Sequence, residues 1–480
     1  MKRTMLPKLD SVRLLKTAFI FLLPLGVWCL PVEAIPIPGL TLIEQRVIVI
    51  FLAAALLWIL EPIPIYATSL LVIFLELVLI SDTALLPLRG AGTAAIGVLL
   101  PYKDIMATLA SPIILLFLGG FFLAIAATKY GLDLQLASWL LRPFGTRPER
   151  VMLGLMGITA LFSMFMSNTA ATAMMLAILS PILRGVDRQD RGRTALVLAI
   201  PFAANIGGLG TPIGSPPNAI GLSYISLSFG SWMAFAVPFV LSILLFSWVM
   251  LKRMFPFTIR EIKLQVGRNV RANYKTHIVY GTFGATILLW LTDFLHGLNA
   301  YTVALIPVVV FLITGIIRKE DLKDLSWDVL WLVSGGIALG LAMERSGLAA
   351  HLVQALDFSA LSPVALLLLT GFLALLMANF MSHTATANLL LPVVAALAAS
   401  LPRLTAEWGG SGAVVLMTTF ACSMGMSMPI STPPNALAHA TGEVEVRDMI
   451  RAGALVGIMG LFLFFLLLLG LNQVGFFTNR

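Results

Sequence analysis

Ser163-Met-Phe-Met-Ser167-Asn168-Thr169 lies inside a long apolar region, and Gly214-Ser215-Pro216-Pro217-Asn218 lies in the next one. Both return in the second half of the chain. Ser382-His383-Thr384 answers the first, and Ser431-Thr432-Pro433-Pro434-Asn435 answers the second. Ser167 and Ser382 are 215 residues apart, and Ser215 and Thr432 are 217 apart. A third match, Gly119-Gly120 through Lys129-Tyr130-Gly131-Leu132 against Gly335-Gly336 through Arg345-Ser346-Gly347-Leu348, has an offset of 216. Three separate segments at one spacing mark a duplicated chain, a ground plan common among secondary transporters.

The surroundings fix the fold class. Of 480 residues, 59% are hydrophobic and 11% charged, with a mean hydropathy of +0.97; soluble domains carry about 25% charged residues. This composition describes an all-α polytopic membrane protein lying in a lipid bilayer. The net charge of +8 does not point to nucleic acid, because the charges sit in short loops where they set orientation. Cys29 and Cys422 fall in separate apolar segments, so neither a disulfide framework nor a metal site is indicated.

Crossing about 30 Å of hydrocarbon takes roughly 20 residues per helix. Spans are expected near 13–30, 43–60, 63–81, 110–130, 231–251, 276–296, 300–317, 327–348 and 452–474, with interrupted spans at 193–226 and 411–441. Segments 148–184 and 361–402 hold the two Ser-centred motifs. If both are re-entrant hairpins and the N-terminus is cytoplasmic, the inner loops carry 25 of the 31 Lys and Arg. That bias obeys the positive-inside rule, and full crossings by both hairpins would destroy it. The expectation is therefore eleven transmembrane helices plus two re-entrant hairpins, one from each face, in two inverted repeats. Residues 1–34 have features of a signal peptide: a basic leader, an apolar run and Val32-Glu33-Ala34. The long polar leader and the helix count favour a retained first helix.

Gly207-Gly-Leu-Gly-Thr-Pro-Ile-Gly-Ser-Pro-Pro-Asn218 cannot stay helical, since paired prolines remove donors and glycines permit sharp turns. Unpaired peptide groups in lipid cost several kcal/mol each, so broken backbone survives only where protein or a polar cavity satisfies it. A broken helix offers amide groups to an anion at one end and carbonyl oxygens to a hard cation at the other. A Ser-Asn-Thr turn adds hydroxyl and amide oxygens, plus donors. Two such pairs meeting near the midplane form a transporter site.

At these residues the chain resembles the divalent anion/sodium symporter family, whose members carry dicarboxylates, citrate or sulfate. The resemblance covers essentially the whole chain. It implies a homodimer in a cell inner (plasma) membrane, with scaffold helices holding the interface and a transport part moving as an elevator. Residues 1–147 and 231–348 would be mostly scaffold; 148–226 and 361–441 would form the transport part; 452–474 is the last helix. By motif position, Na⁺ as coupling ion would meet Ser163, Ser167, Asn168 and backbone oxygen near Gly214. The anion would meet Asn168, Thr169, Ser215 and Pro216 on one side, and Ser382, His383, Thr384, Thr432 and Pro433 on the other. No cofactor is implied.

The second half departs from the pattern. His383 stands where the first half has Asn168, and Ala378 where it has Ser163. A second cation site at Met381, His383 and Ser431 thus loses a hydroxyl and exchanges an amide oxygen for imidazole, with Asn379 a neighbouring oxygen source. His383 has two readings: a proton carrier that makes transport pH-dependent, or a neutral hydrogen-bond donor. Glu76 falls in an apolar span, where an acid is functional by default, unless it reaches the headgroup region. No Gly-x-x-x-x-Gly-Lys-Ser/Thr phosphate loop is present, and no acid–base constellation for an enzyme. Opposed hairpins fit alternating access better than an open channel. The leading expectation is import of a C4-dicarboxylate (succinate, malate or fumarate) with Na⁺; sulfate symport and cation-independent exchange stay open.

Overall fold

The computed structural model describes residues 11–89, 96–262, 273–355 and 361–477. The leader 1–10, the part of the central loop with Lys263, Arg268 and Arg271, and Arg480 lie outside the described residues. Among the described residues the chain is helical, with an isolated bridge between Ser81 and Leu100.

The principal helices are α1 (Ser11–Cys29), α2 (Leu42–Leu60), α3 (Ile65–Leu79), α4 (Pro112–Lys129), α5 (Pro148–Ser163), α6 (Asn168–Leu183), α7 (Gly192–Gly208), α8 (Pro216–Leu222) and α9 (Phe229–Met254). They continue as α10 (Tyr274–Leu291), α11 (Ala300–Ile313), α12 (Trp327–Ser346), α13 (Pro363–Phe380), α14 (His383–Ala399), α15 (Gly412–Ser423), α16 (Pro433–Ala440) and α17 (Val446–Gln473). Each span read from the sequence coincides with one helix, or with a pair flanking a break: α7/α8 and α15/α16. Both Ser-centred segments are helical hairpins, α5/α6 and α13/α14.

Six described helices are long and apolar enough to cross a bilayer individually. One of them is α13, the first arm of the second hairpin. Its 18 residues reach about 27 Å at 1.5 Å per residue, so this arm has the length of a full crossing, longer than a shallow re-entrant loop requires.

Contacts between loops sort them into two groups. In the first, Arg193 Nε donates to Glu443 Oε2 at 2.8 Å and Arg191 pairs with Asp448. Thr258 and Ile259 bond Asp190, Ile262 N reaches Thr146 O at 2.7 Å, and Lys129 pairs with Asp321. These are the segments that the charge bias placed together on the inner side. The Arg193 guanidinium holds the Glu443 carboxyl below its usual range. In the second group Arg46 donates to Leu79 O and Leu88 O, His351 pairs with Glu44, and Asn472 donates to Glu407 O. All of these are on the expected outer side.

The Gly-Gly repeats have the same job in each half. In α12, a side chain on Gly335 would strike Ser69 of α3, and one on Gly336 would strike Asn388 of α14. In α4, Gly119 packs on Ala304 of α11, and a Cβ on Gly120 would come within 3.1 Å of Ile213 in the first helix break. Small residues let helices approach closely where apolar packing in lipid supplies little drive. The first glycine of each pair therefore faces another apolar helix, and the second faces a site-bearing segment. Leu332 O receives both Ser69 Oγ and Asn388 Nδ2, at 3.3 and 3.0 Å.

Candidate functional site

The motif turns are built alike. Ser167 caps α6 at φ −61, ψ 140, its side chain accepting from Ala170 N. Ser382 caps α14 at φ −64, ψ 146, accepting from Ala385 N. Ser215 and Thr432, before the Pro-Pro pairs, have φ/ψ of −146/138 and −147/148. Proline at the first helical positions loses nothing there, because those amides have no intrahelical partner. The asparagine after each Pro-Pro pair ties down the broken strand. Asn218 Nδ2 donates to Gly208 O and Thr211 O, and Asn435 Nδ2 to Met426 O and Met428 O.

In the first half, oxygens converge. Ser163 Oγ lies 2.5 Å from Asn168 Oδ1 and 2.7 Å from Ala204 O. One hydroxyl proton serves these two acceptors. A Cβ on Gly208 would sit 2.7 Å from Asn168 Oδ1 and 2.9 Å from Gly214 O. One on Gly214 would sit 2.5 Å from Gly208 O and 2.9 Å from Ser163 O. Ser163, Asn168, Gly208 and Gly214 thus frame a small oxygen-lined space that only glycine backbone leaves open. Its donor set is hydroxyl, amide and carbonyl oxygen, which suits a hard cation. Ser167 borders this turn but spends its hydroxyl on the helix cap.

The second half brings its counterparts together differently. His383, 7% exposed, lies with Nε2 2.7 Å from Gly425 O. A carbonyl only accepts, so Nε2 carries the proton and donates. Asn379 Oδ1 accepts from Ser427 N at 2.9 Å, and Asn379 O from Ser431 Oγ at 2.9 Å. The two Asn379 oxygens beside the expected second cation site are thus each engaged by a protein donor. Met381 is buried, its amide donating to Met377 O. Among the described residues no group of three His, Cys, Asp or Glu forms a metal site.

The halves touch at their breaks. Ser215 Oγ is 3.3 Å from Ser423 Oγ, and Asn205 Nδ2 is 3.3 Å from both Thr432 Oγ1 and Asn435 Oδ1. Thr384 is 8% and Thr432 5% exposed, whereas Thr169 and Pro433 are exposed and Pro216 and Ser382 half-buried. A cavity of about 450 Å³ lies beside the first turn, lined by Ser167, Ala170, Thr128, Lys129, Asp321 and Ser326 among others. Lys129 holds the Asp321 carboxyl below its usual range, and Asp324 adds a second acid to the lining.

Asn205, Ser423 and Gly425 were not singled out from the sequence, and Gly208 entered only as part of the 207–218 break. A lone Asn205 in an otherwise apolar helix was the available signal. Glu76 is fully buried in α3 with neither carboxyl oxygen hydrogen-bonded.

Comparison with known proteins gives the family. The citrate transporter family model matches residues 55–409. The chain belongs to the citrate transporter family. It is 32% identical to a sodium-dependent dicarboxylate transporter of Staphylococcus saprophyticus, covering 86% of this chain and 83% of that protein. It is 30% identical to an inorganic phosphate transporter of Saccharomyces cerevisiae over 86% of this chain, spanning 45% of that longer protein. The resemblance drawn from the two motif pairs is borne out. Among solved structures, the fold is similar to the YdaH transporter of Alcanivorax borkumensis, with a TM-score of 0.53 and 14% identity, covering 78% of this chain and 89% of that one. This family member is an integral membrane transporter and not an enzyme.

Proposed function

We propose that this protein is a secondary active transporter that imports a C4-dicarboxylate, such as succinate, malate or fumarate, together with Na⁺. The oxygen-lined space framed by Ser163, Asn168, Gly208 and Gly214 carries this reading. The names of the bacterial relatives support it. The anion's oxygens meet Asn168, Thr169, Ser215 and Pro216 from one half, and Ser382, His383, Thr384, Thr432 and Pro433 from the other. The buried polar contacts between Ser215 and Ser423 support a site shared by both breaks.

The same reading makes the repeats inverted, with eleven crossings and two re-entrant hairpins. Segments 148–226 and 361–441 form a moving transport part against scaffold helices of 1–147 and 231–348, in a homodimer of the plasma membrane with a cytoplasmic N-terminus. The cavity beside Ser167 is shared with Lys129 and Asp321, which belong to the basic face. That supports an inward-facing state of an elevator.

One observation favours a second reading. His383 donates to the very carbonyl, Gly425 O, that corresponds in the repeat to Gly208 O at the first cation space. An imidazole there, in place of the amide oxygen of Asn168, supplies no oxygen ligand and lowers the cation count, and an exchanger of two dicarboxylates needs no cation at all.

Two results test the leading reading. Gly208→Ala puts a methyl group into the oxygen-lined space and raises the Na⁺ concentration for half-maximal uptake about tenfold or more, the equivalent of about 1.4 kcal/mol. Unchanged Na⁺ dependence in a folded Gly208→Ala protein contradicts the site. In purified proteoliposomes, unlabelled malate or fumarate suppresses succinate uptake, while equimolar sulfate, phosphate or citrate leaves most of it. Stronger suppression by one of these three overturns the substrate assignment.

A further inference from the structure

We propose that Asn205 is a positioning residue that links the first half's cation space to the anion-binding turn of the second half. The inference rests on the Na⁺-coupled reading above. Asn205 lies in α7 directly after Ala204, whose carbonyl is 2.7 Å from Ser163 Oγ, and one turn before Gly208. Its side chain is 1% exposed. The two hydrogens of its amide nitrogen face two acceptors across the interface, Thr432 Oγ1 and Asn435 Oδ1, each at 3.3 Å. Thr432 Oγ1 also accepts from Asn435 N at 3.2 Å, and Asn435 Nδ2 holds the carbonyls of Met426 and Met428. A continuous polar chain thus runs from Asn168 through Ser163, α7 and Asn205 into the Thr432-Pro433-Pro434-Asn435 break.

The link is not mirrored residue for residue: the reverse contact is one hydroxyl pair, Ser215 Oγ with Ser423 Oγ at 3.3 Å. At the repeat offset of 217, the counterpart of Asn205 is Cys422, which is buried and is no equivalent pair of donors. Asn205 Oδ1 is buried with no hydrogen-bond partner, and buried polar atoms left unpaired are uncommon in folded proteins. Movement of the Ser163–Asn168 turn on cation binding displaces the Ala204 carbonyl, and Asn205 transmits that displacement to Thr432. Coupling of this kind is reciprocal: Na⁺ tightens the anion, and the anion tightens Na⁺ by the same factor.

The test compares succinate affinity at saturating Na⁺ with affinity in choline, by calorimetry on purified wild type and on Asn205→Cys, the repeat counterpart. The wild type tightens by about tenfold or more with Na⁺. The variant tightens by less than about twofold, while Na⁺ binding without succinate stays within about threefold of wild type. A residue that merely packs would lower the amount of folded protein and leave the ratio intact. A variant with the wild-type ratio overturns the role of Asn205 alone, whereas a wild type indifferent to Na⁺ overturns both this inference and Na⁺ coupling. If Asn205→Cys does not fold, Asn205→Ser removes the same donors in a smaller side chain and is read by the same ratio.

Discussion

Asn168→Ala lowers uptake by about 100-fold or more while the protein stays folded. The side chain offers Oδ1 to the first cation space, 2.5 Å from Ser163 Oγ, and on the proposed reading its amide nitrogen faces the anion. A hydrogen bond or ligand contact to a charged group is worth about 1.5–3 kcal/mol, so losing two costs about 3 kcal/mol or more, which is at least about 100-fold in affinity. The fold loses little. Ser167, not Asn168, caps α6, and the asparagine is only half-buried. The measurement is uptake normalised to protein recovered in a single size-exclusion peak. Wild-type uptake by such a protein contradicts the assignment of Asn168.

The second large effect is a gain. His383→Asn combined with Ala378→Ser rebuilds the first-half pattern in the second half. It frees Gly425 O from the imidazole, returns an amide oxygen at the head of α14, and adds a hydroxyl at Ala378, the residue packed against Gly425. The Na⁺ activation curve of uptake then steepens, its Hill coefficient rising from about 1 to about 2. A single-site curve in a double variant that still transports would show that His383 is not what denies a second cation its place.

The architecture was legible because glycine- and proline-rich backbone within apolar surroundings has few physical excuses. Ser167, Ser215, Ser382 and Thr432 were marked by that logic, and each pair has closely similar dihedral angles. The Gly119-Gly120 and Gly335-Gly336 match was legible as register only. Its reason, close approach to Ala304 and Ser69, depends on partners far along the chain. Asn205 and Ser423 were passed over for the same cause: each acts across more than 200 residues, and one polar side chain in an apolar helix does not name its partner. For His383 the sequence held two roles open, and Nε2 donates to Gly425 O in either of them. Asn218 and Asn435 belonged to a recognised motif, yet their task is mechanical, holding the carbonyls of the break in place.

Charge movement bears on the remaining choice between symport and exchange. A divalent anion entering with one Na⁺ carries a net negative charge inward, against about 2.3 kcal/mol per 100 mV of inside-negative potential. A second cation, a proton on the anion, or a counter-moving dicarboxylate each removes that opposition.

The most direct measurement is therefore uptake of radiolabelled succinate into proteoliposomes of the purified protein, under an inward Na⁺ gradient and again with K⁺ replacing Na⁺, each with and without succinate inside. Na⁺-dependent accumulation into empty vesicles, lost in K⁺, is the predicted result. Uptake that ignores Na⁺ and requires internal succinate would contradict it, and would make the protein an exchanger built on the same fold.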